Sequence, residues 1–252
     1  MKTIPLTQGK VAIVDDRDYR WLSQYKWHAQ KSGKRPGLYY AVRNATINKR
    51  RKTIQMHREI MNPPDGFEID HRNNNALDNR RLNMRTCTRA QNMANSRAQK
   101  GKSSAFKGVS FHKEYRKWRG RITHLGKDLH LGFFRSQVRA AKAYDDRAKE
   151  LFGEFARLNF PRRVRRRNIY RWLMATKGRV FSVTFIKRST DEEKKIYARV
   201  GVKTRQKGKG LRYNTSDKKL IVVYDMKERT YKSIPIDGIE AVCCRGKRYR
   251  VD

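Results

Sequence analysis

The alternation of apolar and polar positions divides the chain into short strand-like and helix-like pieces. Between residues 3 and 60 the runs KVAIVD, LYYAVRN and KTIQMH read as strands around a helical candidate from Asp16 to Tyr25, and Asn62-Pro63-Pro64-Asp65-Gly66 breaks the series. Phe67 to His71 reads as another strand and Arg72 to Arg81 is turn-rich. Leu82 to Thr86 reads as a second strand with Leu82 and Met84 on one face and Asn83 on the other. Thr88 and Gln91 have the spacing of a capping box, so a helix starts there with Asn92 in its first turn. The polar run SRAQKGKSS, residues 96 to 104, reads as a hinge or linker.

Beyond it, KGVSF, KWRGRIT and DLHLGFF predict three strands. A helix follows over QVRAAKAYDDRAKELFG, because Val138, Ala141, Tyr144, Ala148 and Leu151 recur at spacings of 3 and 4 and Gly153 closes the run. PRRVRRRNIYRW is a basic connector. From Arg179 onward RVFSVTFIKR, KIYARVGVK, KLIVVYDM, YKSIPI, IEAVCC and KRYRV predict five or six short strands, which suggest a small β-barrel. The expected class is α+β multidomain. The expected parts are an N-terminal region over 1–100 with a core at 57–98, a three-stranded sheet plus helix over 105–161, a basic linker over 162–177 and a small β domain over 178–252.

Charge sharpens the picture. With 62 Lys and Arg against 23 Asp and Glu, the formal net charge is +39, and attraction to polyanions dominates at long range. Nucleic acid is the first candidate partner. The charge is spread along the chain rather than set on a basic amphipathic helix, which argues against a membrane surface. No apolar run approaches the ~18 residues that span a bilayer, and the N-terminus lacks a signal core. Cys87, Cys243 and Cys244 show no Cys-x-x-Cys pairing, against a zinc ribbon or a disulfide framework. A soluble cytoplasmic protein is expected, in a host cytoplasm if the gene is a phage's.

The stretch FEIDHRNNNALDNRRLNMRTCTRAQNMAN carries the chemistry. Strand, loop, strand and helix would let Asp70, His71, Asn83 and Asn92 converge. A carboxylate and a carboxamide suit a hard cation. A neutral imidazole can take a proton from attacking water. One tension stands: neighbours in a regular strand face opposite ways, so Asp70 and His71 share a site only if the strand is distorted.

An Asp-His pair, an Asn 13 positions after the Asp and a second Asn 22 after it resemble the ββα-metal site of HNH endonucleases of the phage and intron homing type. In the wider family the last ligand is often His; Asn92 is the variant found in homing enzymes. The resemblance implies that Asp70 and Asn92 hold a divalent metal, Mg²⁺ or alternatively Mn²⁺, that His71 is the general base and that Asn83 orients it. His57, in TIQMHREIM, matches a recurrent His in phage relatives and reads as a packing or phosphate-contacting residue ahead of a catalytic one. Asp78, Asn79, Arg80 and Arg81 read as shaping the loop and meeting phosphate. Trp21, Trp27, Tyr39 and Tyr40 read as core.

Lys107-Gly108-Val109, Leu131-Gly132-Phe133, Ala143-Tyr144-Asp145 and Leu158-Asn159-Phe160-Pro161 resemble an AP2 domain. That family lays its sheet in the DNA major groove, which implies double-stranded DNA as partner. Alternation puts Arg119, Arg121 and Thr123 on one face, joined by His112, Lys113, Lys117 and His130 as candidate DNA contacts. Ser110, His112 and His130 stand where Arg or Trp is usual in plants, so the plant target does not carry over. Arg163, Arg165, Arg166 and Arg167 read as a phosphate track or as a solvated charge run. The C-terminal strands weakly resemble SH3-like barrels of phages. The expected function is site-selective, metal-dependent DNA cleavage; the rivals are a regulator with a decayed nuclease fold and an RNA-binding protein.

Overall fold

The structure, a computed structural model, describes residues 1–33, 37–98, 103–190, 192–201 and 219–252. Two compact units emerge: residues 1–96 with 154–156, and residues 97–153 with 157–252.

In the first unit, β1 (Lys2–Pro5) pairs with β2 (Val11–Val14), where Ala12 and Val14 are fully buried and Val11 is exposed, the period of a half-buried strand. Helix α1 (Asp16–Leu22) leads into a three-stranded sheet of β3 (His28–Lys31), β4 (Tyr39–Ile47) and β5 (Arg50–Gln55). The strand expected through His57 ends at Gln55. From there Met56, His57 and Ile60 are buried at helical spacing, so α2 (Met56–Met61) begins instead. Asn62, at φ +41°, caps it through an N–H bond to the Arg58 carbonyl, and Pro63 and Pro64 block continuation.

β6 (Glu68–His71) and β7 (Met84–Cys87) form an antiparallel pair, followed by α3 (Arg89–Asn95). The capping box of Thr88 and Gln91 forms with both bonds present. Leu82 departs from expectation: it is 92% exposed, because Arg81–Asn83 makes a 3₁₀ turn before β7 starts. That turn carries Asn83 inward. Leu22, Trp27, Met56, Ile60, Ile69 and Met84 fill the core behind these elements.

In the second unit, β8 (Val109–His112), β9 (Lys117–His124) and β10 (Lys127–Phe134) form a sheet in the order β10-β9-β8, backed by α4 (Gln137–Phe152). Val109 packs with Val138, Ala140 and Ala141, and Ile122 is buried; Lys117, Arg121 and Thr123 are exposed. Gly108, at φ +75°, lies so close to Tyr144 that a Cβ would fall 1.9 Å from its ring. Buried Asp145 accepts the N–H bonds of Asn159 and Phe160, fixing the closing residues; burial pushes its carboxyl up to about 6.

The remaining strands are β11 (Arg162–Val164), then, after α5 (Ile169–Met174), β12 (Phe181–Ile186), β13 (Glu193–Arg199), β14 (Leu220–Asp225), β15 (Thr230–Pro235), β16 (Ile239–Cys244) and β17 (Lys247–Val251). They do not close into the expected barrel. Among the described residues the sheet is open, in the order β11-β17-β16-β12-β13-β14-β15. The basic stretch itself supplies the added edge: β11 pairs in parallel with β17, and Val164, Ile169 and Leu173 are buried in the sheet's core with Val183, Val223 and Ile239. Part of the hinge read at 96–104 lies outside the described residues. No helix among the described residues is long and apolar enough to cross a membrane.

Candidate active site

The β6–β7 register sets Asp70 opposite Arg85 and His71 opposite Met84. Arg85 donates from Nε and Nη2 to Asp70 Oδ2 at 2.9 and 2.7 Å. Asn95 Nδ2, at the end of α3, donates to Asp70 Oδ1 at 2.8 Å and to the His71 carbonyl at 3.1 Å. Asp70 therefore faces β7 and α3.

His71 turns the other way. Its Nε2 lies 3.2 Å from Asn79 Oδ1. An amide oxygen only accepts, so Nε2 carries the proton and Nδ1 keeps the lone pair. Among the described residues no protein group hydrogen-bonds Nδ1. Burial is the main cause that lowers the His71 pKa, opposed by the Asn79 bond and by Asp70 and Asp78.

Asn79 is held from below. Its N–H bonds to the Ile13 carbonyl and the Ile13 N–H to the Leu77 carbonyl, so the loop is laid against β2. Asp78 accepts from Arg80 Nε and Nη2, both at 2.7 Å, and from Asn73 at 2.8 Å; the Arg80 bonds hold its carboxyl below the usual range. Arg81 grips Asp18 with two bonds of 2.9 Å. Arg80 thus braces the loop internally, and Arg81 ties it to α1.

Among the described residues no side-chain hydrogen bond joins any two of Asp70, His71, Asn83 and Asn92. Asn83 donates to the Asp78 carbonyl at 2.8 Å and accepts the Asn73 N–H at 3.2 Å, tying the loop's ends. Asn92 donates to Glu68 Oε2 at 2.6 Å. Sequence reasoning missed Asn95 and read Asn79 as a loop residue without its contact to His71. Asn95 was within reach of it, since it follows Asn92 by three on one helix face; Asn79 sits in a turn without periodicity.

The donors fit a hard divalent cation in kind: Asp70 Oδ1 and the amide oxygens of Asn92 and Asn95 are all oxygen ligands. No three His, Cys, Asp or Glu side chains gather among the described residues. A cation held here would take most of its shell from water and phosphate.

On the three-stranded sheet, the register puts Ser110, Arg119 and Phe133 in one row, with Arg121 beside His130 and Thr123 beside Asp128. Asp128 accepts from Arg121 at 2.9 Å and from Thr123 at 2.5 Å. His112 stacks on Tyr115 at 4.7 Å, and Phe133 meets His112, Tyr115 and His130 within 5.2 Å. Lys113 and Lys117 are exposed beside them. Along the basic stretch, Arg163 pairs with Asp146, and Arg165 and Arg167 are exposed. Arg166 Nη1 instead caps the carbonyls of Ile236, Asp237 and Ile239.

A strand pair and a capped helix frame the Asp-His step, and residues 61–94 match the HNH endonuclease family. Protein 3.8 of Escherichia phage T7 is 36% identical over 111 residues, 42% of this chain and 88% of that protein. An uncharacterized HNH endonuclease of Acanthamoeba polyphaga mimivirus is 30% identical over 152 residues, 60% of this chain and 76% of that protein. The chain belongs to the HNH endonuclease family and is a nuclease. An AP2-like ethylene-responsive transcription factor of Arabidopsis thaliana is 38% identical over 64 residues, 25% of this chain and 13% of that protein. No solved structure matches, and the likeness to SH3-like barrels gains no support.

Proposed function

We propose that the protein is a metal-dependent, site-selective DNA endonuclease of the homing type with His71 as general base. The His71–Asn79 pair carries this reading. An acceptor on Nε2 fixes the tautomer, and burial keeps the ring neutral at pH 7, so Nδ1 is ready to take a proton from water. Asn79 does the orienting, and Asn83 acts by tying the loop. Asp70, with amide oxygens from Asn92 and Asn95, holds Mg²⁺, or Mn²⁺ in its place. When bound, that cation stabilises charge on the scissile phosphate and the leaving oxygen.

The outward face of the three-stranded sheet supplies site choice. Arg119, Arg121 and Thr123 lie along β9 with Lys117 and His112 at its edge, Lys113 beyond, and His130 across from Arg121. The partial likeness to an AP2-like transcription factor supports placing this face in a major groove. Arg163, Arg165 and Arg167 add phosphate contacts.

The test is incubation of the full chain with genomic DNA and Mg²⁺, with EDTA and His71→Ala as controls and broken ends mapped on both strands. Discrete breaks that vanish with EDTA and in the mutant, while binding persists, are expected. Tight binding without breaks would point to a regulator, and preferential cutting of structured RNA would sink the DNA reading.

A further inference from the structure

Six cationic side chains of the second unit line one open cleft of about 440 Å³: Arg97, Lys107 and Arg157, with Arg162, Lys247 and Arg248 of the C-terminal sheet. Among the described residues, no carboxylate and no aromatic ring line it. Among the described residues Arg97, Arg157, Arg162, Lys247 and Arg248 form no ion pair. Burial, and then the like charge of Arg97, hold the Arg157 guanidinium below its ordinary value. The free protein therefore keeps a mutual repulsion that an anion would relieve.

The walls are built rather than draped. β16 and β17 meet in a two-residue turn, Arg245-Gly246, with φ of +51° and +70°, the geometry of a tight type I′ hairpin. Lys247 and Arg248 leave that turn at fixed positions, and Arg248 lies over the Phe106 ring at 5.2 Å. Lys142 ties α4 to the sheet, donating to Glu240 at 2.7 Å and to the Val251 carbonyl at 2.8 Å. The Asn159 amide is already bonded to Asp145 and to the Lys107 backbone, so it braces the cleft rather than reading a ligand.

We propose that this cleft grips the phosphodiester backbone of duplex DNA, giving the C-terminal sheet a share in sequence-independent binding. The inference rests on the reading of the protein as a DNA enzyme. Guanidinium forks match phosphate oxygens. Among the described residues no aromatic ring lines the cleft for a base to stack on, and the nearby Phe106 ring is covered by Arg248. An open cleft admits a continuous strand where a closed pocket would hold a small anion.

The test compares two doubly substituted full-length chains that lose equal charge, Lys247→Gln/Arg248→Gln in the cleft and Lys227→Gln/Arg229→Gln on the distant β14–β15 turn. All four residues are exposed, and the melting temperature of each variant checks that it still folds, since Arg248 packs over Phe106. Binding is measured in EDTA between 50 and 200 mM salt, on a duplex carrying the mapped cleavage site and on a scrambled duplex. The cleft variant should lose about 1 to 2 units of the log–log salt slope and about tenfold in affinity on both duplexes, with their ratio unchanged and the control much less affected. Equal slopes in the two variants would overturn this inference and leave the DNA reading standing. Loss confined to the site-bearing duplex would overturn it too, since the cleft would then read sequence. Wild-type preference for structured RNA over either duplex would overturn both.

Discussion

His57 meets His71 edge to face, with ring centroids 5.3 Å apart and planes at 80°. The Tyr40 ring also meets His57, at 5.5 Å, and among the described residues His57 Nδ1 is sealed without a hydrogen-bond partner. Burial, then the charges of His71 and Arg58, push its pKa down to about 3. His57 is therefore a neutral wall that keeps the His71 ring in place.

This wall makes the fold acid-sensitive. In the unfolded chain the imidazole titrates near 6.5, so between 6.5 and about 3 the unfolded state holds a proton that the folded state refuses. Stability is lost as pH falls through that window, on the order of 5 kcal/mol in full near pH 3. His57→Phe keeps the ring contacts and removes the titration. Urea unfolding at pH 7 and pH 4.5 should show the variant losing about 2–3 kcal/mol less than wild type over that interval. An unchanged pH dependence would mean that His57 takes its proton within the fold.

The roles of the two loop asparagines separate by kinetics. Asn79→Ala removes the acceptor on His71 Nε2 and should lower kcat about 10- to 100-fold with KM little changed. Asn79→Asp keeps an acceptor and should retain most of the rate, while its carboxylate raises the His71 pKa and moves the acid limb of kcat to higher pH. Asn83→Ala unties the loop from the Asp78 carbonyl and the Asn73 N–H, so its cost should appear as a lower melting temperature at near-normal rate per folded molecule. A loss of kcat in Asn83→Ala with stability intact would return the orienting role to Asn83.

Local chemistry was legible where one short-range rule decides the outcome. The capping box at Thr88 and Gln91, the stop at Asn62 to Pro64 and the helix from Gln137 each follow from spacing alone. Leu82 was not, because a 3₁₀ turn replaces the strand period just where Asn83 must enter the interior. The open C-terminal sheet was hidden for another reason: its added edge, β11, is three residues among arginines, and only pairing with β17 at the far end of the chain makes it a strand. Asp70 and His71 were legible as chemistry but not as geometry. Both side chains are buried and His71 is the last residue of its strand, so Asp70 meets Arg85 and Asn95 while His71 meets Asn79, and Asn95 links the two through a carboxylate and a carbonyl.

The buried pair of Asp70 and Arg85 tests how the carboxylate is kept for a cation. Their side chains are only 4% and 9% exposed, so removing one partner leaves a charge uncompensated in the interior. Arg85→Leu should destabilise the first unit by about 3–5 kcal/mol, whereas Asp70→Leu/Arg85→Leu should recover most of that loss. If Asp70 also binds the metal, Mg²⁺ should raise the melting temperature of Arg85→Leu more than that of wild type, because the cation then supplies the missing countercharge. The double variant should show no such response. Equal Mg²⁺ effects on all three proteins would place the cation elsewhere and leave Asp70 as a purely structural partner of Arg85.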